Sequence, residues 1–198
     1  FTYLLRLKNV PFSENPRIRK GFKRVLLLLG IGYFLRYPTF FLFNLWDVQY
    51  KQWLVFFSVD ALHLIAFGLL FTITAVYISE KAKLSFYGVS AFMALLFFGM
   101  YPVALQINWI DHLPLPFAAY FYRDYGSLFP LFPWAGYVLA GSFLGNYLAV
   151  NKQAYMQKRF AFNLLLAGGV MILSADLVKN LINLSIETER YLGYETSV

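Results

Sequence analysis

The distribution of apolar and charged positions predicts a chain that crosses a lipid bilayer. Residues 84–110 carry no charged side chain, and residues 125–151 form a second uncharged run. An α-helix rises about 1.5 Å per residue, so about 20 apolar residues cross the hydrocarbon core, which is about 30 Å thick. Each run is therefore long enough to span a membrane.

Hydrophobicity and flanking charges together predict five membrane helices. We expect them at about 22–43, 56–79, 85–107, 128–150 and 160–181. Membrane β-strands are segments of about 10 residues with alternating polarity, a pattern these runs lack. The predicted fold class is all-α, a polytopic transmembrane helix bundle of about five spans.

The start of the chain and its organisation lead to a further expectation. The sequence opens at Phe1 without an initiating Met, so we expect residues 1–7 to be the end of a preceding helix. No linker or low-complexity tract divides the chain. We therefore expect residues 1–198 to form a single transmembrane domain that is a fragment of a longer one.

Composition and charge agree with a membrane protein. The chain is 60% hydrophobic and only 14% charged. Its net charge of +7 would suit a nucleic-acid-binding protein, but seven of its 17 basic residues lie in segment 6–24, just before an apolar run. Such a segment is typical of a cytoplasmic loop facing anionic lipid. Membrane lipids are the expected partner, and nucleic acid is not.

The basic residues also predict which way the helices point. Segments 6–24, 79–84 and 151–159 hold 7, 2 and 3 Lys or Arg, whereas 36–55, 108–127 and 179–198 hold 2, 1 and 2. Under strict alternation of five spans, all three richer segments fall on one side of the membrane. We therefore expect 6–24 to be cytoplasmic and 108–127 to be extracytoplasmic.

Arg36 is an ionisable residue in a predicted span. Such a residue costs about 2.5–3.5 kcal/mol at the bilayer centre on insertion scales, so it needs a partner or a function. Two interpretations are open. The helix ends at Pro38 and Arg36 reaches the outer headgroups, or Arg36 faces a wet cavity where it meets an anionic substrate group.

Asp60 and His63 are three positions apart and share one helical face. A carboxylate can fix the tautomer of an imidazole and stabilise its protonated form, as a general base requires. Alternatively, Asp60 caps the helix and His63 makes a hydrogen bond between helices. The sequence leaves both interpretations open.

Other polar residues and glycines have simpler interpretations. Asp176 and Lys179 are expected to form an ion pair within the fifth span. The outer loop contributes Asp111, His112, Arg123 and Asp124, which would suit the wall of an external substrate site. The small residues from Gly141 to Gly145, with Gly136 before them, predict close helix packing.

Several signatures are missing from the sequence. It has no phosphate-binding Walker loop, dinucleotide glycine motif, His-Glu-x-x-His or Gly-x-Ser-x-Gly. With two histidines and no cysteine, a zinc site is not expected, and neither is any other metal.

Three segments taken in order resemble the heparan-alpha-glucosaminide N-acetyltransferase-like family, in its bacterial DUF1624 branch. NPRIRKGFKR (15–24) resembles the basic loop after the family's second helix. SVDALHLIAF (58–67) is similar to its "G-[IV]-L-[HQ]-x-[IL]-[GA]" helix start. FPLFPWAGYVLAG (129–141) is similar to its "F-P-L-x-P-W-x-G-[YF]-x-L-x-G" element.

The resemblance implies transfer of an acyl group, usually acetyl, from cytoplasmic acyl-CoA to a glycan across a bacterial plasma membrane. It makes four residues candidates for lining the outer end of a cavity: Arg36, Asp60, His63 and Trp134. The candidates for binding the CoA phosphates at the inner end are Arg17, Arg19, Lys20, Lys23 and Arg24.

The chain departs from the family pattern at its start. The family's Arg-Gly motif and principal catalytic histidine are expected upstream of Phe1, so the catalytic residue is not identified. We therefore expect a fragment or a shortened homologue. The rival hypothesis is a non-catalytic scaffold or accessory subunit of a larger membrane complex, and a small transporter is a third.

Overall fold

The computed structural model describes residues 10–39, 48–121, 126–151, 153–170 and 173, which are helical or in turns and contain no strand. This confirms the all-α prediction for that part of the chain. Seven α-helices have defined bounds: α1 (Pro16–Leu35), α2 (Tyr50–Phe57), α3 (Ala61–Lys81), α4 (Phe86–Gly99), α5 (Tyr101–Gln106), α6 (Leu115–Ala118) and α7 (Leu131–Val150).

Helix α1 begins earlier than predicted. Asn15 caps it by accepting a hydrogen bond from the backbone N–H of Arg17 at 3.0 Å, and Pro16 occupies the first turn. The predicted start of the first helix at about 22 is therefore wrong, and segment 6–24 is helical from Pro16 onward, because an Asn-Pro start signal is followed by good helix formers. The helix ends at Leu35, ahead of Pro38.

Among the described residues, two helical segments are long and apolar enough to cross a membrane. They are Ala61–Lys81 and Phe86–Gln106, each of 21 residues. They correspond to the predicted spans at 56–79 and 85–107, but the former begins at Ala61 because Ser58 and Asp60 are extended. The count of five spans remains a prediction.

Helices α1 and α3 are antiparallel. A Cβ atom added to Gly32 would lie 2.7 Å from the His63 ring, and one added to Gly21 would lie 2.8 Å from Ile73. The backbone N–H of Phe12 donates to the Glu80 carboxylate at 3.1 Å. The start of α1 therefore lies beside the end of α3, as strict alternation requires for these two helices.

Helices α3, α4 and α7 enclose the apolar core. The core is formed by Val59, Ala94, Phe97, Tyr120, Leu131, Ala135 and Leu139. Gly136 of α7 faces the Phe98 ring of α4, and Gly68 of α3 faces Val138 of α7. Gly141 has no described atom within 4 Å of an added Cβ, so the predicted close packing occurs at Gly136 and not at Gly141.

The chain divides into two compact units after Val150. In the second unit the backbone is helical over 158–170, at the start of the predicted fifth span. Asp176 and Lys179 lie outside the described residues, as do Arg123 and Asp124 of the outer loop.

Candidate functional site

Asp60 is the N-cap of α3 and the centre of a polar group. One carboxylate oxygen, Oδ1, accepts from the backbone N–H groups of Leu62 at 2.9 Å and His63 at 3.3 Å. The same oxygen lies 2.8 Å from Nδ1 of His63. Both sequence interpretations of Asp60 therefore hold in part, since it caps the helix and also binds the imidazole.

Arg36 approaches Asp60 from the end of α1. Its Nε donates to the other carboxylate oxygen, Oδ2, at 3.2 Å. Its Nη1 donates to the carbonyl of Val55 at 3.2 Å and also to the hydroxyl of Ser58. Helix α1 thus ends before Pro38, as one interpretation predicted, but the guanidinium binds a carboxylate of the protein.

The His63 side chain is fully buried. Its Nδ1 lies closer to the Asp60 carboxylate than to the Asp60 backbone N, which is 3.5 Å away, so we place the proton on Nδ1. Nε2 is then an acceptor, and it has no hydrogen-bond partner among the described residues. No interhelical hydrogen bond of His63 is found there.

These contacts affect the charge of Asp60, which precedes the apolar helix Ala61–Lys81. Partial burial raises the pKa of its carboxyl, but the hydrogen bonds from His63 and Arg36 outweigh burial. The net result is a pKa below the ordinary value, so Asp60 is an anion at neutral pH. The site therefore pairs one carboxylate with one guanidinium and one imidazole.

Arg36 and Asp60 line a cleft of about 1110 Å³. Its wall also contains Gln49, Lys51 and Gln52. The Arg36 and Asp60 side chains are about one-fifth exposed, whereas His63 has no exposed surface. A molecule in the cleft can therefore reach Asp60 and Arg36, whereas His63 is covered and contacts Asp60 from the protein interior.

The loop that ends at Ser127 and Leu128 holds the extended segment before α3 in place. The hydroxyl of Ser127 accepts from the backbone N–H of Val59 at 2.9 Å and donates to the carbonyl of Ala119 at 2.6 Å. The backbone N–H of Leu128 donates to the carbonyl of Val59 at 3.0 Å. Ser127 was missed at the sequence level, because nothing local marks a contact with a residue so far along the chain.

A second, apolar cavity of about 660 Å³ lies next to this polar group. Half of the residues that line it are phenylalanines: Phe56, Phe57, Phe67, Phe117 and Phe121. Tyr33 and Tyr120 also line it, and their hydroxyl oxygens are 2.7 Å apart. The centroids of the Tyr33 and His63 rings are 4.5 Å apart. Tyr33 was not among the residues predicted from the sequence, although it lies three positions before Arg36.

The remaining candidates lie apart from Asp60. Trp134 is 38% exposed, contacts Phe129 and Tyr137, and lines neither of these two cavities. The five basic candidates occupy the first turns of α1, with Arg17 half-buried and the others exposed. Arg24 precedes Arg36 by twelve residues, so about 18 Å of helix separates the basic residues from the polar group.

We find no potential metal site in the described ranges. No group of three or more His, Cys, Asp or Glu side chains there could hold an ion.

Comparison with known proteins gave one match. The family model described as "Heparan-alpha-glucosaminide N-acetyltransferase, catalytic" matches residues 8–176, which include both ends of α1, the Asp60 group and α7. Neither the curated proteins nor the solved structures contained a match.

Proposed function

This chain belongs to the heparan-alpha-glucosaminide N-acetyltransferase family, and from that premise we propose that it takes part in moving an acetyl group from cytoplasmic acetyl-CoA to a glycan on the far side of the membrane. Family membership makes it an acyltransferase-like membrane protein. The donor, the acceptor and the direction of transfer belong to the proposal.

The arrangement of α1 carries this proposal. One end of the helix has a run of exposed cations, and the other end reaches a carboxylate in a polar cleft. Transfer across a membrane needs a donor site and an acceptor site on opposite sides. A helix with these two ends supplies suitable chemistry for both.

At the cleft, we assign Asp60 to binding the acceptor. A carboxylate accepts hydrogen bonds from sugar hydroxyls or an amine, while Arg36 and His63 hold it in position. A carboxyl with a lowered pKa is a weak general base at neutral pH. Asp60 is therefore assigned to orienting the acceptor.

At the basic end, we assign Arg17, Arg19, Lys20, Lys23 and Arg24 to the phosphates of CoA. Guanidinium and ammonium groups make charge-assisted hydrogen bonds to phosphate, and Arg can do so with two parallel bonds. Exposed side chains on the first turns of one helix can converge on a single polyphosphate.

Binding of radiolabelled acetyl-CoA to the detergent-solubilised protein tests the donor site. We expect the double variant Arg19→Glu/Arg24→Glu to bind at least about tenfold more weakly, which corresponds to about 1.4 kcal/mol. The matched control is Lys158→Glu/Arg159→Glu, which makes the same charge change in a segment predicted to lie on the same side. Equal binding by the wild type and the Arg19/Arg24 variant would refute the assigned donor site.

A further inference from the structure

The apolar cavity beside the Asp60 group is larger than an acetyl group needs. Its volume of about 660 Å³ is within the range of about 300–1,000 Å³ found for pockets that hold drug-sized ligands. An acetyl group would fill a small part of it. The phenyl rings that line it have no polar atom, so the part of a ligand that they would contact is a hydrocarbon.

The two tyrosines give this cavity a polar end. Each phenol has one O–H donor, and one of the two protons is used in the hydrogen bond between Tyr33 and Tyr120. The other proton has no acceptor among the described residues, because this bond is the only one that either hydroxyl makes there. The pair can therefore donate one hydrogen bond to a ligand's carbonyl oxygen.

The cavity also lies beside the side chains of the proposed acceptor site. Tyr33 contacts both the His63 ring and the Phe56 ring, with centroid distances of 4.5 Å and 5.4 Å. Phe56 and Phe57 are the last two residues of α2. The residue before them, Val55, accepts a hydrogen bond from Arg36 through its carbonyl. A chain bound among these rings with its carbonyl at the tyrosines would present that carbonyl close to the polar cleft.

We propose that this cavity binds the hydrocarbon chain of an acyl group longer than acetyl, with the acyl carbonyl accepting a hydrogen bond from the Tyr33–Tyr120 pair. The inference rests on the proposed acyl transfer. In that transfer the bond between the acyl carbon and the CoA sulfur breaks, and a bond from that carbon to an acceptor oxygen or nitrogen forms. The proton lost by the acceptor goes to the CoA thiolate.

We assign the cavity to the acyl donor, because an acyl group has both features that the cavity can bind. These are an apolar chain and a carbonyl oxygen at its end that accepts a hydrogen bond. The hydrocarbon of a lipid-linked acceptor would also suit the phenyl rings. These two sources are separated by using a soluble glucosaminide as the acceptor, so that the acyl donor is the only reactant that carries a chain.

The test compares acetyl-CoA, butyryl-CoA and octanoyl-CoA with the wild type and two matched variants. Leu29 lines the cavity, whereas Leu27 is 61% exposed and does not. Leu29→Trp fills the cavity and Leu27→Trp adds the same side chain outside it. Binding of each CoA ester to the purified protein and transfer to the glucosaminide in proteoliposomes are both measured.

We expect the wild type to bind octanoyl-CoA at least about tenfold more tightly than acetyl-CoA, since each methylene in an apolar pocket adds several-fold or more. Leu29→Trp should remove that difference, because the indole fills the space that the longer chain would occupy. Leu27→Trp should behave as the wild type. The double variant Tyr33→Phe/Tyr120→Phe should slow transfer of every acyl group alike, because it removes both hydroxyls of the pair and with them the donor to the carbonyl.

The outcomes separate the two proposals. Acetyl transfer with no preference for longer chains, or an equal effect of both tryptophan variants, would overturn the inference and leave the proposed function standing. Chain-dependent binding without transfer of any acyl group would overturn the proposed function and support the cavity assignment. Selectivity that appears only with a lipid-linked acceptor would also overturn the inference.

Discussion

At the residue scale, Gly32 sets how closely α1 approaches the Asp60 group. A Cβ at this position would lie 2.7 Å from Cε1 and 3.0 Å from Nε2 of His63, closer than real side chains come. His63 is fully buried and held by Asp60, so the ring cannot move aside. The absence of a side chain at Gly32 is therefore a requirement of the site.

We predict that Gly32→Ala lowers the free energy of unfolding by about 1–3 kcal/mol, the usual cost of overpacking. Gly30→Ala is the matched control, because nothing described lies within 4 Å of a Cβ there. It should be neutral or stabilise by up to about 1 kcal/mol through helix propensity. Denaturant unfolding of both variants in detergent, followed by circular dichroism, checks this. Equal stabilities would contradict the close contact between α1 and His63.

Substitutions at Asp60 can separate the effect of its charge from the effect of its role as the N-cap of α3. Asparagine is as good an N-cap as aspartate but carries no charge, whereas alanine removes the cap at a cost of about 1 kcal/mol and leaves His63 Nδ1 unpaired. We predict that Asp60→Ala destabilises the fold more than Asp60→Asn. Thermal unfolding of both variants measures the difference.

For the proposed function, Asp60→Asn should raise the KM for the acceptor and leave acetyl-CoA binding unchanged. This difference distinguishes a role in acceptor binding from a purely structural role. Loss of a purely structural role would weaken the binding of the acceptor and of acetyl-CoA together. An unchanged acceptor KM would show that the carboxylate does not bind the acceptor.

The sequence predicted part of the polar group. The spacing of Asp60 and His63 predicts their contact, because residues three apart on a helix are neighbours. It does not predict that His63 is buried against Gly32, or that Tyr33 meets Tyr120, because these contacts join residues far apart in the chain. Long-range packing thus decided which member of the pair faces the cleft.

At the element scale, the contact between α3 and α7 depends on Gly68. A Cβ there would lie 2.5 Å from Cγ1 and 3.0 Å from Cβ of Val138. The Cβ of Val138 is fixed to the backbone, so only a separation of the helices could relieve the clash. This contact joins α3, which begins at Asp60, to the core helix α7.

We predict that Gly68→Ala destabilises the protein by about 1–3 kcal/mol. Gly141→Ala, on the open side of α7, should have no such cost. The melting temperatures of the two variants in the same detergent test this contrast. A larger loss for Gly141→Ala would mean that the glycine-rich pattern of α7 packs as the sequence first suggested.

The helix bounds differ from the predictions where local signals compete with hydrophobicity. Hydrophobicity alone placed the start of the first helix at about 22, but Asn15 and Pro16 start it at Pro16. Hydrophobicity also placed the start of the second span at about 56, because Phe56 and Phe57 are apolar. The structure instead has a break between helices at Ser58–Asp60. The Asn15-Pro16 helix start and the Asp60 N-cap are both visible in the sequence, but the prediction gave more weight to the length of the apolar runs.

At the scale of the whole molecule, the proposed transfer requires the two ends of α1 to face opposite sides of the membrane. The proposed donor site lies at the basic end and the proposed acceptor cleft at the Arg36 end, with about 18 Å of helix between Arg24 and Arg36. Only the excess of Lys and Arg in alternate segments predicts the sidedness. Acyl transfer across the membrane requires it.

Single-cysteine labelling measures this most directly, because residues 1–198 contain no cysteine. Lys20→Cys marks the basic end of α1, and Lys51→Cys marks the wall of the polar cleft. In intact cells, a membrane-impermeant maleimide should label the cysteine at position 51, and it should label the one at position 20 only after the membrane is permeabilised. Labelling of both positions in intact cells would place the two sites on one side and contradict transfer across the membrane.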